Sequence, residues 1–212
     1  MQLTTNPWLG HTTNWRAAAM TASLLLLLVG CSGAPSRVAA PEWEPEQIAD
    51  QAIATLDKDG DGLLSTRELA AAPGLKYCAD QLDQDGDQQL TRDEIRDRIK
   101  LYEDLRVGYT TFMCRVLYKG RPLPGALVKL IPEPFLGSIV EPAQGTTGRS
   151  GQVQLVAESS DMPVMRIGMY RVEITSSRVK IPEKYNKLST LGVEVSGVTD
   201  PNGQPVFMLK SR

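Results

Sequence analysis

Two acidic segments of the chain carry residue types that could bind a hard divalent cation. The segment 57–68, Asp-Lys-Asp-Gly-Asp-Gly-Leu-Leu-Ser-Thr-Arg-Glu, has Asp at positions 1, 3 and 5 and Glu at position 12, and the segment 83–94 repeats this pattern 26 residues later. Calcium takes six to eight oxygen ligands at about 2.3 to 2.6 Å, so a chain must wrap around the ion to supply them. The spacing therefore predicts two calcium sites.

Each segment offers three aspartates, a backbone carbonyl at position 7, a hydroxyl at position 9 that holds a water, and a glutamate that closes the shell with both oxygens. The first set is Asp57, Asp59, Asp61, the carbonyl of Leu63, Ser65 and Glu68, and the second is Asp83, Asp85, Asp87, the carbonyl of Gln89, Thr91 and Glu94.

The two segments differ at position 6, where the chain must turn sharply. Gly62 suits this turn, but Gln88 occupies the same position in the second segment. We expect Gln88 to adopt a left-handed conformation at a cost of about 1 to 2 kcal/mol, which would make the second site roughly tenfold weaker. Leu64 and Leu90, at position 8, are expected to pair between the segments.

Both segments resemble EF-hand calcium loops. Apolar residues recur at helical spacing in 45–56, 75–82 and 91–105, which predicts four helices with the short first exiting helix ended by Pro73-Gly74. The resemblance covers residues 46–106 and is closest to the compact EF-hand pairs of bacterial secreted and cell-surface proteins. Residues 46–106 contain no methionine, which favours a structural role for calcium over the methionine-rich groove of a sensor.

An apolar run, Ala17–Val29, is too short to span a bilayer comfortably and is typical of an export signal. It ends in Leu-Val-Gly-Cys at 28–31, which resembles the lipobox of bacterial lipoproteins. That resemblance implies a signal peptide at 1–30, acylation of Cys31 and a place in the outer membrane or cell envelope; the alternative is an ordinary secretory signal with an incidental cysteine. Residues 31–45, rich in proline and small residues, are interpreted as a lipidated tether.

The sequence offers few candidate catalytic residues. The single histidine, His11, precedes the apolar run and lies within the predicted signal peptide, so removal of the signal excludes every histidine-dependent catalytic or metal site. A hydrolase using two carboxylates remains an alternative, but the eight acidic residues of the second half show no paired spacing. We therefore expect a protein that is not an enzyme.

Charge divides the chain into two predicted domains. Residues 42–106 carry 17 acidic against 8 basic residues, and residues 107–212 carry 8 against 13. Alternating apolar residues in the second part predict six short strands, at 110–118, 126–131, 152–156, 170–175, 191–195 and 206–209. The expected fold class is α+β by segregated domains: a small all-α EF-hand pair followed by an antiparallel Greek-key β-sandwich over residues 110–212.

Turn and core residues at 120–128, 148–155 and 168–174 resemble carboxypeptidase regulatory-like domains, a transthyretin-like sandwich. The resemblance runs over residues 110–176 and implies an accessory domain without catalytic residues.

Three features leave alternatives open. The segment 132–145 has four apolar residues, Phe135, Leu136, Ile139 and Val140, and is either a loop that caps the sandwich or a partner contact. The basic stretch 178–187 is either a solvated loop or a surface docked on the acidic domain, in preference to a nucleic-acid site. Cys78 and Cys114 either form a disulfide or are separate buried side chains.

Together these patterns predict a lipid-anchored, calcium-binding protein of the cell envelope. Its expected partners are calcium ions, the membrane through Cys31, and an envelope protein or polysaccharide, with no nucleic acid. The alternatives are an accessory subunit, or an adhesion module for carbohydrate or protein.

Overall fold

A computed structural model describes residues 39–196 and 204–211 of the chain. The predicted signal peptide, Cys31 and the first part of the tether lie outside the described residues. Val38–Arg212 forms one compact unit, so the acidic and basic parts pack within the same body, and the boundary between residues 46–106 and 110–212 stays a prediction. In the part that the structure describes, no helix combines the length and the apolar character needed to cross a membrane.

Three α-helices lie in the acidic part: α1 (Pro45–Leu56), α2 (Pro73–Leu82) and α3 (Arg92–Leu105). The first two begin with proline, whose fixed φ suits a first helical turn. The prediction of four helices is wrong, because the segment after the first acidic loop forms only a 3-10 turn, Leu69–Ala71. Pro73 starts α2 directly after that turn and does not end a longer helix.

The described strands form three sheets, so the structure is of mixed α and β type. The smallest sheet joins β1 (Leu63–Ser65) and β2 (Gln89–Thr91), which means that the acidic part is not purely helical. A five-stranded sheet has the order β10 (Gly192–Val195), β9 (Gly168–Ser176), β5 (Ala126–Pro132), β6 (Ala143–Thr146), β8 (Val156–Ala157), and a four-stranded sheet joins β11 (Val206–Leu209), β3 (Met113–Tyr118) and β4 (Arg121–Pro122), with β7 (Gln152–Gln154) also pairing with β3.

The strands depart from the prediction in four ways, the first of which is that β4 and β6 lie outside the six predicted segments. Strand β3 begins at Met113, three residues later than expected, and the predicted strand 152–156 divides into β7 and β8, which pair with different sheets. The pairing is not wholly antiparallel, because β11 runs parallel to β3. Strand β11 follows β10, which belongs to the other sheet, so it is not joined to its neighbour by a hairpin and is free to lie parallel.

The segment 132–145 is not an exposed loop. It contains a 3-10 segment, Pro134–Ile139, that packs against α1, followed by β6. Phe135, Leu136 and Val140 are 2%, 0% and 3% exposed. Their apolar surface belongs to the core, so a partner contact through these side chains is excluded, and the capping interpretation describes the segment better.

One continuous core joins the helices to both larger sheets. Trp43 lies 5% exposed against Tyr102 of α3, with the ring centroids 5.3 Å apart, as expected for a tryptophan that packs on the adjoining domain. Helix α2 packs on β10 and β9, at the edge of the five-stranded sheet. Cys78 and Cys114 are free, fully buried thiols. The structure therefore contains two separate cysteine side chains and no disulfide between them.

Candidate metal centres

The first acidic loop is held in a tight turn by its own aspartates. The carboxylate of Asp57 accepts hydrogen bonds from the backbone N–H groups of Gly60 (2.7 Å) and Gly62 (2.9 Å). Asp61 accepts one from the N–H of Leu63 at 2.8 Å. These short side-chain-to-backbone bonds fix the direction of each carboxylate within the loop.

The second loop repeats the same bonds. Asp83 accepts from the N–H groups of Gly86 (2.7 Å) and Gln88 (2.9 Å), and Asp87 accepts from the N–H of Gln89 at 2.7 Å. Two segments 26 residues apart therefore share one local conformation, and not merely a common sequence pattern.

Each loop gathers its three aspartates. One carboxylate oxygen from each of Asp57, Asp59 and Asp61 lies within 4.8 Å of the others, and the same holds for Asp83, Asp85 and Asp87. In both triplets the first aspartate is half-buried and the other two are exposed. The donors are exclusively oxygens and carry negative charge, which fits a hard cation such as calcium better than a metal that prefers nitrogen or sulfur ligands.

Glu68 is not part of the first triplet; its carboxylate bridges the two ends of the loop. One oxygen accepts from the N–H of Lys58 at 2.7 Å, and the other accepts from the N–H (3.0 Å) and the hydroxyl (2.7 Å) of Ser65. The hydrogen bond from Lys58, followed by those from Ser65, lowers the pKa of Glu68 to about 2. Glu68 is thus held as a carboxylate at the position that closes the loop.

Glu94 has the equivalent place in the second loop. Its oxygens accept from the N–H of Gln84 at 2.8 Å and from the N–H and hydroxyl of Thr91, both at 2.8 Å. The hydroxyl of Thr91 in turn accepts from the N–H of Glu94, which completes a capping box at the start of α3. The residue that closes the loop therefore also begins the following helix.

The two loops are joined by the short sheet of β1 and β2. Leu64 lies opposite Leu90 in this sheet, and the two side chains are 0% and 1% exposed, as the sequence predicts. Leu63 and Gln89, whose carbonyls occupy position 7, are the first residues of β1 and β2.

The predicted difference at position 6 is confirmed. Gly62 has φ 82° and Gln88 has φ 66°, so both lie in the left-handed region. Only glycine enters this region without a steric cost, so Gln88 imposes strain on the second loop that the first loop lacks.

Sequence reasoning did not foresee how the flanking helices are held together. Arg92, the first residue of α3, forms an ion pair with Glu46 of α1 at 2.7 Å and another with Asp50. These groups are substantially exposed, so the contribution to stability is small, but the bonds connect the helix before the first loop to the helix after the second. Oppositely charged residues on the two amphipathic helices were the only sequence signal for this contact.

The basic stretch 178–187 is not docked on the acidic helices. Arg178, Lys180, Lys184 and Lys187 are exposed, and none of them forms an ion pair within the residues that the structure describes. The solvated-loop interpretation therefore fits this stretch.

Comparisons of the chain with protein-family models, with curated proteins and with solved structures find no match.

Proposed function

We propose that this chain is a calcium-binding, lipid-anchored protein of the bacterial cell envelope, in which calcium stabilises an EF-hand pair at residues 46–106. The observation that carries the proposal is the pair of aspartate triplets, held by the same hydrogen bonds in both loops. A calcium ion would compensate the negative charge that these carboxylates concentrate in each loop.

The ligands differ in what they contribute. Asp57, Asp59 and Asp61 would hold the ion in the first loop together with the carbonyl of Leu63, while Ser65 would act through a water and Glu68 would close the shell; in the second loop the equivalents are Asp83, Asp85, Asp87, Gln89, Thr91 and Glu94. Mutual repulsion among the carboxylates destabilises a loop without a cation, so metal binding and folding are coupled.

A structural role is favoured over signalling. A sensor must open an apolar groove when it binds calcium. Here Leu75, Cys78 and Leu82, three of the buried residues of α2, lie in the same core as the sheets on which this helix packs. Opening the helices would therefore expose the shared core. Replacing the contacts between α2 and the sheets by contacts with a partner would cost free energy. A calcium ion that only stabilises the loops requires no such movement of the helix.

The basic part of the chain is proposed to be a carboxypeptidase regulatory-like β-sandwich that serves as a display or partner-binding module. Support comes from the two larger sheets, whose inward residues, such as Val116 and Val128, share one core. The parallel pairing of β11 is the main departure from a wholly antiparallel sandwich.

Isothermal titration calorimetry of residues 38–212 with calcium tests the metal sites. Two binding events are expected, of which Glu68→Gln removes the stronger. Glu103→Gln is the matched control, because it makes the same change in charge at an exposed position of α3 outside both loops. The proposal fails if calcium produces neither heat nor a change in thermal midpoint while the protein is folded.

The anchor has an independent test. We expect the full chain, expressed in a bacterium with radioactive palmitate, to be labelled and to sediment with membranes that are washed in 0.5 M salt, where charge interactions with lipid are screened. Cys31→Ser should abolish both properties, and Cys78→Ser should abolish neither. Labelling that persists in the Cys31 variant would refute acylation at this residue.

A further inference from the structure

The two larger sheets have one end that is turned away from the acidic helices. Strands β5 and β9 run antiparallel, with Pro132 opposite Tyr170 at one end and Ala126 opposite Ser176 at the other. Helix α2 reaches the first of these ends, where Gly74 lies against the backbone of Tyr170. The second end carries the loops 119–125 and 147–151, the end of β11, and the start of the loop 177–191, which then runs back to β10 beside α2.

These loops are strongly basic. With residues 209–211, they contain eight lysines and arginines and a single acidic residue, Glu183. All eight basic side chains are exposed. We call this surface the basic end and define it by six residues that represent every loop: Lys119, Arg121, Arg149, Arg178, Lys184 and Lys210.

The loops of the basic end are in contact with one another. The N–H of Lys119 donates to the carbonyl of Leu209 at 3.0 Å, and the N–H of Lys210 donates to the hydroxyl of Tyr185 at 3.2 Å. Lys184 lies beside the same tyrosine, with its Nζ 5.2 Å from the ring centroid. The N–H of Gly125 also donates to the carbonyl of Thr147 at 2.8 Å, so the loops that carry these cations are neighbours.

The charge of the basic end is not neutralised within the protein. Among the residues that the structure describes, the basic end contributes no ion pair, whereas Arg92, Arg96 and Arg98 of α3 are each paired with acidic groups. A patch of unpaired cations produces a local positive potential that attracts anions.

We infer that the basic end is a docking surface for a membrane that contains anionic lipids. A cluster of basic side chains near such a surface gains attraction from each one, and a neighbouring apolar group can enter the headgroup layer. Leu188, 68% exposed in the loop 177–191, supplies such a group. The inference uses the proposed acylation of Cys31 only for the nearby membrane; the docking surface itself is independent of calcium and of the anchor.

Lipid fits the surface better than nucleic acid. Proteins that bind single strands present exposed aromatic rings on which bases stack. Tyr185, which lies within the basic end, is only 7% exposed, and Tyr118 is partly buried beneath Lys119, whose Nζ is 5.4 Å from its ring centroid. The basic end thus offers charge and an aliphatic side chain without a stacking platform.

Co-sedimentation of residues 38–212 with phospholipid vesicles tests the inference. This unit is used because it is compact without residues 1–37 and lacks the apolar signal. At 0.1 M salt we expect binding to vesicles of phosphatidylglycerol and phosphatidylcholine, at least tenfold weaker binding to phosphatidylcholine alone, and loss of binding at 0.5 M salt, where charge interactions are screened. Equal binding to both kinds of vesicle would overturn the inference.

Variants locate the surface. Arg121→Glu combined with Lys184→Glu should weaken binding at least tenfold. Lys76→Glu combined with Lys100→Glu makes the same change in net charge on exposed residues of α2 and α3 and should change binding less than threefold. Circular dichroism monitors the folding of every variant. If the reversal of charge at Arg121 and Lys184 impairs folding, Lys119→Gln combined with Lys210→Gln is a milder second variant. Equal losses in the test and control variants would overturn the inference.

Two further arms separate the alternatives. Measurements in 1 mM calcium and in EDTA, at a temperature where circular dichroism shows that the protein is folded in both, should give the same ranking of variants. Failure of the calcium proposal and failure of the lipid inference are then distinguishable. A labelled oligonucleotide, compared at the same salt and phosphate concentration, should bind more weakly than the anionic vesicles. Tighter binding to the oligonucleotide would replace the lipid assignment with nucleic acid.

Discussion

Gly192 lies directly against Pro73, so that a Cβ atom added to Gly192 would overlap the carbonyl group of Pro73 and stand 2.7 Å from the nitrogen of Gly74. Gly192 is the first residue of β10, and Pro73 is the first residue of α2. The backbones of a helix between the two acidic loops and of a sheet-edge strand therefore touch at this point. Glycine is required by the lack of space, and not by an unusual backbone angle.

Gly192→Ala is expected to lower the free energy of unfolding by about 3 kcal/mol or more, because backbone, and not a flexible side chain, blocks the added methyl group. Urea unfolding followed by the fluorescence of Trp43, the only tryptophan in residues 38–212, measures this change. Gly148→Ala is the control, since its added Cβ meets only the carbonyl oxygen of Gln152 at an ordinary 3.8 Å. Equal losses in both variants would show that the close contact is absent.

A buried ion pair fastens α3 to the same strand. The Nε of Arg98 donates to Glu194 of β10 at 2.6 Å, and the hydroxyl of Tyr102 donates to the same carboxylate. The side chains of Arg98 and Glu194 are 16% and 5% exposed. Burial, followed by the charge of Glu194, raises the pKa of Tyr102, which keeps its hydroxyl protonated as a donor.

Arg98→Met should lower the free energy of unfolding by about 3 kcal/mol, because it leaves the carboxylate of Glu194 buried without its cation. Arg96→Met removes ion pairs with the exposed Asp93, Asp97 and Glu46, and it should lower the free energy of unfolding much less than Arg98→Met, because solvent screens these charges. Urea unfolding of both variants at one calcium concentration makes the comparison. A smaller loss for Arg98 than for Arg96 contradicts the burial argument.

The bounds of helices and strands could be predicted from the sequence where the local residue pattern determines them. Helix α1 has the predicted bounds because a regular apolar period identifies it, and strand β11 has them because its apolar run, Val206–Leu209, lies between Pro205 and Lys210. The sequence left alternatives open where tertiary contacts decide: Phe135 and Leu136 lie in a proline-rich segment without a clear period, yet they are buried in a segment that packs against α1. The contact between Gly192 and Pro73 left no local signal at all.

The candidate metal centres show the same division. The aspartate triplets and the pairing of Leu64 with Leu90 follow from a pattern confined to twelve residues and its repeat. The basic end could not be predicted in full, since its cations come from loops far apart in sequence. Only the stretch around Arg178 and Lys184 stood out before the strands brought Lys119 and Lys210 beside it.

The strained Gln88 gives a prediction specific to the second loop. Gln88→Gly should raise the free energy of unfolding by about 1 kcal/mol, because glycine adopts φ 66° without a steric cost. It should also strengthen the weaker calcium event in calorimetry. Gln84→Gly is the control in the same loop: Gln84 is exposed and does not have a positive φ, so its replacement should stabilise neither the fold nor the site. An equal gain from both changes would rule out strain at Gln88.

Glu133 supplies a second contact between the sheets and the helices, and this contact titrates. The carboxyl is 2% exposed and accepts a hydrogen bond from the N–H of Gly74 in α2 at 2.6 Å. Burial raises the pKa of Glu133 to about 7, although the Gly74 hydrogen bond and the nearby Arg171 act in the opposite direction. The folded state therefore holds this proton at a pH where the unfolded chain, with a pKa near 4.5, has released it.

The sign of the pH dependence follows from that difference. Below about pH 4.5 both states bind the proton and Glu133 imposes no penalty, whereas between about pH 4.5 and 7 its contribution to stability falls, by about 1 to 3 kcal/mol. Glu133→Gln keeps an acceptor for Gly74 but cannot ionise, so its loss of stability between pH 5 and pH 8 should be smaller than that of the parent by this amount. Urea unfolding at both pH values in saturating calcium measures the difference, and Glu158→Gln, at an exposed position, should behave like the parent. If Glu133→Gln loses as much stability as the parent over this range, Glu133 is not the titrating group.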